Sequence, residues 1–309
     1  MKTETSNKQY IKQIIDSSEL LVKSELMRLA SLDNDEFAFL KNNWDKAEVK
    51  RRRKIVANLQ ELSQKHANLD FSRLFDFWLD DADARVRSEA INGLIDDEDP
   101  GLVERFIGLL HRDNSAEVRA AAAVALGKLA LQGELGKLSP EKTDTVYQAL
   151  LQTLDKKTES VKVKAVALPA IAPLNLPRVK GLIEGAYHSD NLELKISAIR
   201  AMGLNCNRTW LTALLEELHN DSPEIRLAAV ASLGELAEED AVLYLMEMVE
   251  DEFPRIQEAA IKAICEIGGK EARQLLNMLL DAPQSKIRRA ARLALEDIDF
   301  CKNPPSMNF

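Results

Sequence analysis

An aliphatic–basic pair followed by a run of small and apolar residues recurs along this chain at a near-constant interval. It stands at Val86-Arg87, Val118-Arg119, Val163-Lys164, Leu194-Lys195, Ile225-Arg226, Ile256-Gln257 (with Gln in the basic place) and Ile287-Arg288, so the first members lie 32, 45, 31, 31, 31 and 31 residues apart. A unit of this length is a single supersecondary element. It cannot bury its apolar face alone and must stack on its neighbours. The interval of 45 is one period enlarged by 14, with the insertion at residues 131–144.

Each unit holds two helical segments. In residues 209–218, Trp210, Leu211, Leu214, Leu215 and Leu218 form a stripe at helical spacing. His219, Asn220 and Asp221 then make a turn, Ser222 supplies an N-cap and Pro223 the first position of a second helix over residues 224–236. Pro254 and Pro283 open the next two second helices in the same way, and Pro100, Pro140 and Pro177 open first helices. No stretch alternates with period two for long enough to make a strand, so the fold class is all-α.

The second helix can be read by angle, at about 100° per residue from its first aliphatic position. Positions 1, 5, 9 and 12 face the first helix. Position 6 holds Ile91, Ala123, Leu168, Ile199, Val230 and Ile261 on one flank, while positions 4 and 8 on the other flank are mostly small. A large flank against a small one is how neighbouring units interlock, which makes position 6 face the C-terminal neighbour. Arg292, at position 6 of the last unit, then marks a solvent-facing end.

The segments DSPEIRLAAVASLGEL and RDNSAEVRAAAAVALGKL resemble HEAT repeats, of the short bacterial type also found in phycocyanobilin lyase subunits. The resemblance runs over about residues 70–298. It implies a right-handed α-solenoid of about seven 31-residue hairpins with the second helices lining the concave side. It also implies a ladder in which a turn Asp pairs with the second-helix Arg. Asp113/Arg119, Asp221/Arg226 and Asp281/Arg288 fit that pattern. Lys164 and Lys195 weaken it, because lysine lacks the bidentate fork, and Gln257 removes the charge.

Outside the repeats, residues 1–68 read as an N-terminal helical cap or degenerate repeat, with docking of a partner or a second copy as the alternative. One helical stripe, Ile11, Ile14, Ile15, Val22, Leu26 and Leu29, falls in residues 7–30, and a second helix covers residues 49–62. Residues 69–298 form the repeat solenoid and residues 299–309 a loose tail.

Function must be sought on positions 3, 7 and 11 of the second helices, which face away from the first helices. In the middle units they are largely apolar, and the candidate partner-binding groove is Val124, Ile196, Arg200, Leu204, Leu227 and Ala231. The other reading packs these positions between neighbouring second helices. Net charge is −9, divided as +2 over residues 1–79 and −11 over the rest, which disfavours a nucleic-acid backbone. The basic run Lys50, Arg51, Arg52, Arg53 and Lys54 is the local exception and reads as a solvated helix face, with phosphate or acidic-partner contact as the other reading.

His111, His188 and His219 occupy equivalent first-helix ends and read as helix-end caps, not as metal ligands. Cys206 and Cys265 read as small buried thiols. No catalytic or phosphate-binding motif is present. There is no apolar leader and no spanning segment, which with the scattered cysteines points to the cytoplasm. The expected function is a non-enzymatic scaffold or adaptor that takes a protein or peptide on its concave face without a cofactor, and the sequence sets no oligomeric state. A bilin-lyase-like auxiliary subunit is the alternative, and a nucleic-acid-binding solenoid a third.

Overall fold

The structure, a computed structural model, describes residues 4–302 except 17, 19 and 175. Among the described residues there is no strand. The chain is an all-α solenoid of helical hairpins, divided into two compact units, Met1–Val163 and Lys164–Phe309.

In the first unit, α1 (Glu4–Ile15), α2 (Lys23–Met27), α3 (Asn34–Asn43) and α4 (Val49–Lys65) precede two complete hairpins. These are α5 (Ser72–Trp78) with α6 (Ala84–Gly93), and α7 (Leu102–Arg112) with α8 (Ala116–Glu134). Next come α9 (Pro140–Asp155) and α10 (Val161–Ile171), within which the unit boundary falls. The second unit holds α11 (Pro177–Tyr187) with α12 (Leu192–Leu204), and α13 (Leu211–Glu216) with α14 (Pro223–Leu236). It ends with α15 (Val242–Met248) and α16 (Pro254–Ile267), then α17 (Gly269–Leu279) and α18 (Ser285–Lys302). Second helices pack side by side: α4 on α6 and α6 on α8 in one unit, α12 on α14, α14 on α16 and α16 on α18 in the other.

Several boundaries differ from the sequence reading. The stripe over residues 7–30 is two helices, α1 ending at Ile15 and α2 starting at Lys23, and Val22 just ahead of α2 is exposed. The insertion is absorbed partly by lengthening α8 to Glu134, and the expected loose tail is helical as far as Lys302, with residues 303–309 outside the described residues. Pro283 lies in the turn ahead of α18, not at its first position. Ser222 caps α14 through the Ile225 amide at 3.4 Å, with Pro223 next in line, as expected.

The second helices interlock through their small residues, in the direction expected. A Cβ on Gly203 of α12 would stand 2.7 Å from the Cα of Ser232 on α14, and one on Gly234 of α14 would stand 3.0 Å from the Cα of Ala263 on α16. Position 10 of one repeat therefore touches position 8 of the next, backbone to backbone. Ile199, Val230 and Ile261, one turn earlier on the same flank, are buried, whereas Arg292 is exposed.

The ladder is real but connects differently from the expected pairing. Arg87, Arg119 and Arg226 each turn one guanidinium nitrogen back to their own turn and the others forward to the next. Arg87 donates to the carbonyls of Asp81 (2.7 Å) and Ala82 (3.0 Å), and its Nε and Nη2 reach Asp113 of the following turn at 2.8 and 2.9 Å. Arg119 donates to the Asp113 carbonyl at 2.9 Å and forks Glu159 at 2.7 and 3.2 Å. Arg226 donates to the Asn220 carbonyl at 2.9 Å and reaches Asp251 at 2.8 Å. The acids lie in the turns ahead, so Asp113 pairs with Arg87, not with Arg119. Each acid also accepts a local amide, such as Ser115 on Asp113 at 2.8 Å and Phe253 on Asp251 at 2.8 Å. One carboxylate thus shapes its own turn and ties it to the preceding repeat.

The rungs at Lys195 and Gln257 are compensated. Lys195 meets the buried Glu217 at 2.8 Å, and Tyr187 and Asn220 each donate to the same carboxylate at 2.7 Å, supplying the donors that lysine lacks. Gln257 keeps the backward bond to the Asp251 carbonyl at 2.7 Å, and the place that would hold the next acid is Ala282. The cation is missing where the acid is missing. Arg288, in the last repeat, bonds the Ala282 and Pro283 carbonyls at 2.8 and 2.7 Å.

Burial raises the Glu159 carboxyl, but the hydrogen bonds from Arg119 and the Ser160 amide outweigh it and hold the group below its ordinary range. Glu217 follows the same balance against Lys195 and Tyr187, and Arg53 lowers Asp83. Groups with depressed folded-state values stabilise the fold above the ordinary carboxylate pKa of about 4 and lose that contribution as the pH falls through the folded value. The melting temperature should therefore fall on acidification below about pH 4. Glu159→Gln should remove part of this dependence and cost about 2–3 kcal/mol at neutral pH, because Arg119 is left without its counter-charge.

A second prediction follows from the glycines. Gly203→Val should destabilise by at least about 2 kcal/mol, since its side chain meets backbone that cannot yield. Gly181, inside α11, has nothing within 4 Å of a built Cβ. Gly181→Ala should accordingly stabilise by about 0.5–1 kcal/mol. Urea melts of the two variants check both signs.

Candidate functional site

The face of the second helices turned away from the first helices carries the candidate groove. On α12, Ile196 is half-buried, Arg200 is exposed and Leu204 is 36% exposed, spaced four residues apart along one stripe. On α14, packed alongside, Leu227 is half-buried and Ala231 exposed, followed by the exposed Glu235. These five candidate residues share one surface in the second unit. Val124 holds the equivalent position on α8 of the first unit and is 42% exposed. The alternative, that these positions are packed away between neighbours, does not describe Val124, Arg200, Leu204 or Ala231.

The basic run is mostly not a surface feature, which corrects the solvated-face reading. Arg51 is buried and donates to the Ile14 carbonyl at 2.8 Å and the Gln13 carbonyl at 3.0 Å, closing the C-terminal end of α1. Arg52 is buried against Asp81, with both carboxylate oxygens within 3.0 Å, and Trp44 donates to the same group at 2.6 Å. Arg53 forks Asp83 at 2.7 and 2.9 Å. Only Lys50 and Lys54 are exposed. The run serves the first rungs of the ladder, and α4 behaves as a repeat's second helix. No sequence signal separated this from a phosphate-binding patch, because the partner acids lie about a period away in the chain.

The histidines stand at first-helix ends as expected, His111 in the last turn of α7, His188 at the C-cap of α11 and His219 at the end of the turn that follows α13, whereas the cysteines differ from expectation. The His111 ring nitrogen lies 3.2 Å from the Ala149 carbonyl on α9, a neighbouring first helix and not its own helix end. His188 and His219 are exposed. Among the described residues no group of three or more His, Cys, Asp or Glu side chains is placed to hold a metal ion. Cys206 is exposed, in a left-handed conformation just past α12, and Cys265 is half-buried, so neither is the fully buried thiol expected.

The sequence reading passed over one further feature. Between α16 and α18 lies a cleft of about 910 Å³ whose lining includes Ile261, Cys265, Ala290, Leu293 and Ala294. Cys265 stands at position 10, where α12 and α14 have Gly203 and Gly234, and its Sγ lies 3.3 Å from the Ala294 carbonyl at position 8 of the next helix. The thiol thus occupies the contact that glycine leaves bare on α12 and α14. The replacement of Gly by Cys in the repeat pattern was the available signal. No helix among the described residues is long and apolar enough to cross a membrane.

Comparison with known proteins agrees with this architecture. The HEAT-repeat family matches residues 72–162 and 211–296, more than half of the chain. No curated protein matches in sequence. Among solved structures, the chain is similar to the complex of CpcE and CpcF of phycocyanin lyase from Nostoc sp. PCC7120, with a TM-score of 0.57 at 17% identity over 85% of this chain and 95% of that one. It is also similar to the karyopherin Kap121p bound to Nup53p, with a TM-score of 0.50 at 15% identity over 94% of this chain and 37% of that one. At these identities the likeness is one of fold. The repeat register, the stacked second helices and the family match together make this chain a member of the HEAT-repeat family.

Proposed function

We propose that the chain is a non-enzymatic, cytoplasmic scaffold that holds a peptide or helix of a protein partner against the exposed second-helix face of α12 and α14. The observation that carries this reading is the run of accessible apolar side chains there. Leu204 and Ala231 are exposed, Ile196 and Leu227 half-buried, and Arg200 and Glu235 stand among them as charges of opposite sign. Apolar anchors with a charged rim are the usual composition of a protein contact. Val124 on α8 offers a separate apolar contact of the same kind in the first unit. Kap121p, similar in fold, is bound to a protein in its solved structure, which supports the class of partner.

The test is affinity capture from native lysate with the wild-type chain and with Arg200→Glu/Leu204→Asp. Both positions are exposed, so the melting temperature of the variant should stay within about 3 °C of wild type. Loss of an apolar anchor and reversal of a rim charge should weaken the captured partner at least about tenfold. A partner held equally by both proteins, or none held by the wild type, would overturn the assignment.

A further inference from the structure

The cleft beside α18 exposes a stripe with an unusual symmetry. Arg289, Leu293 and Asp297 occupy positions 3, 7 and 11 of this helix, and Lys286 precedes them. Leu293 is 51% exposed. Lys286, Arg289 and Asp297 are exposed and make no ion pair with any of the described residues. Arg289 and Asp297 stand four residues before and after Leu293, about 6 Å away along the axis in each direction. The stripe is thus positive, apolar, negative, and it changes sign on reversal about its centre.

That antisymmetry is the condition for an isologous contact, in which one patch meets a copy of itself. A second α18 laid antiparallel, with the two-fold axis at Leu293, sets leucine on leucine. It also sets Arg289 of each copy opposite Asp297 of the other. The packing is available too. Ala290, Leu293, Ala294 and Asp297 have the i, i+3, i+4, i+7 spacing of the socket that receives one side chain from a facing helix, and all four line the cleft. The two alanines keep that socket deep. The other second helices of this unit lack the pattern. α16 carries Glu258, Lys262 and Glu266, which would set Glu against Glu on reversal, and α12 carries Ile196, Arg200 and Leu204.

We propose that the exposed face of α18 pairs with the same face of a second copy of this chain, forming an antiparallel homodimer at the last repeat. The contact is a single helix pair with two ion pairs, so it is a weak, salt-sensitive association. It is independent of the peptide-binding face on α12 and α14, and either can fail without the other.

Sedimentation velocity of the full chain from about 1 μM to about 1 mM tests it, since that range spans the dissociation constants of weak complexes. The wild type should pass from monomer to dimer as concentration rises. Arg289→Asp should stay monomeric because it sets one carboxylate against another, and Asp297→Arg should stay monomeric by setting one guanidinium against another. An equimolar mixture of the two variants should form a heterodimer, because both contacts are then between opposite charges. This rescue also shows that both variants are folded. A wild-type chain that stays monomeric throughout, a dimer indifferent to either reversal, or a mixture that gives no heterodimer would each overturn the proposal.

Discussion

The forward ion pair from a second-helix arginine to the turn acid of the next repeat is the interaction on which this architecture rests. A helical hairpin has no partner within itself for its broad apolar faces, so stability comes from stacking. Apolar stacking is non-directional and does not fix how far one hairpin slides along the next. The rung does. Arg87 with Asp113, Arg119 with Glu159 and Arg226 with Asp251 each hold a guanidinium between carbonyls of one turn and a carboxylate of the next. The acid simultaneously accepts an amide of its own turn, so turn geometry and repeat spacing are set by one group.

The rungs place the second helices, and the residues at their contacts decide what surface results. At Gly203 and Gly234 the next helix closes to backbone contact, and the outer face of α12 and α14 becomes one continuous stripe of apolar and charged side chains. At the same position of α16 stands Cys265, in contact with α18, and beside it lies the cleft. In the first unit, Arg52 and Arg53 extend the same rung system to α4, so the N-terminal helices join the stack through Asp81 and Asp83.

Much of this was legible in the sequence because the period is strict. The 31-residue interval, the angular positions of the second helix, the burial of Val230 and the exposure of Arg292 all follow from spacing alone. The direction of the ladder was not legible, because Asp113 stands six residues before Arg119 and a contact within one turn looks the nearer choice. The arginine bends back on that turn through its carbonyl, which leaves the carboxylate free for the preceding repeat. The basic run misled for a related reason. Five adjacent charges read as surface, whereas Arg51 and Arg52 find a helix end and a buried acid far along the chain.

The most direct test of this account is native-state hydrogen exchange on Asp251→Asn. Asp251 lies in the turn before α16, but the rung it completes belongs to Arg226 on α14. If rungs bind successive repeats, the amides of α14 should lose protection together with those of α16, by a similar free energy. Loss confined to α15 and α16, with α14 protected as in the wild type, would show that each turn serves only its own hairpin and would contradict the account.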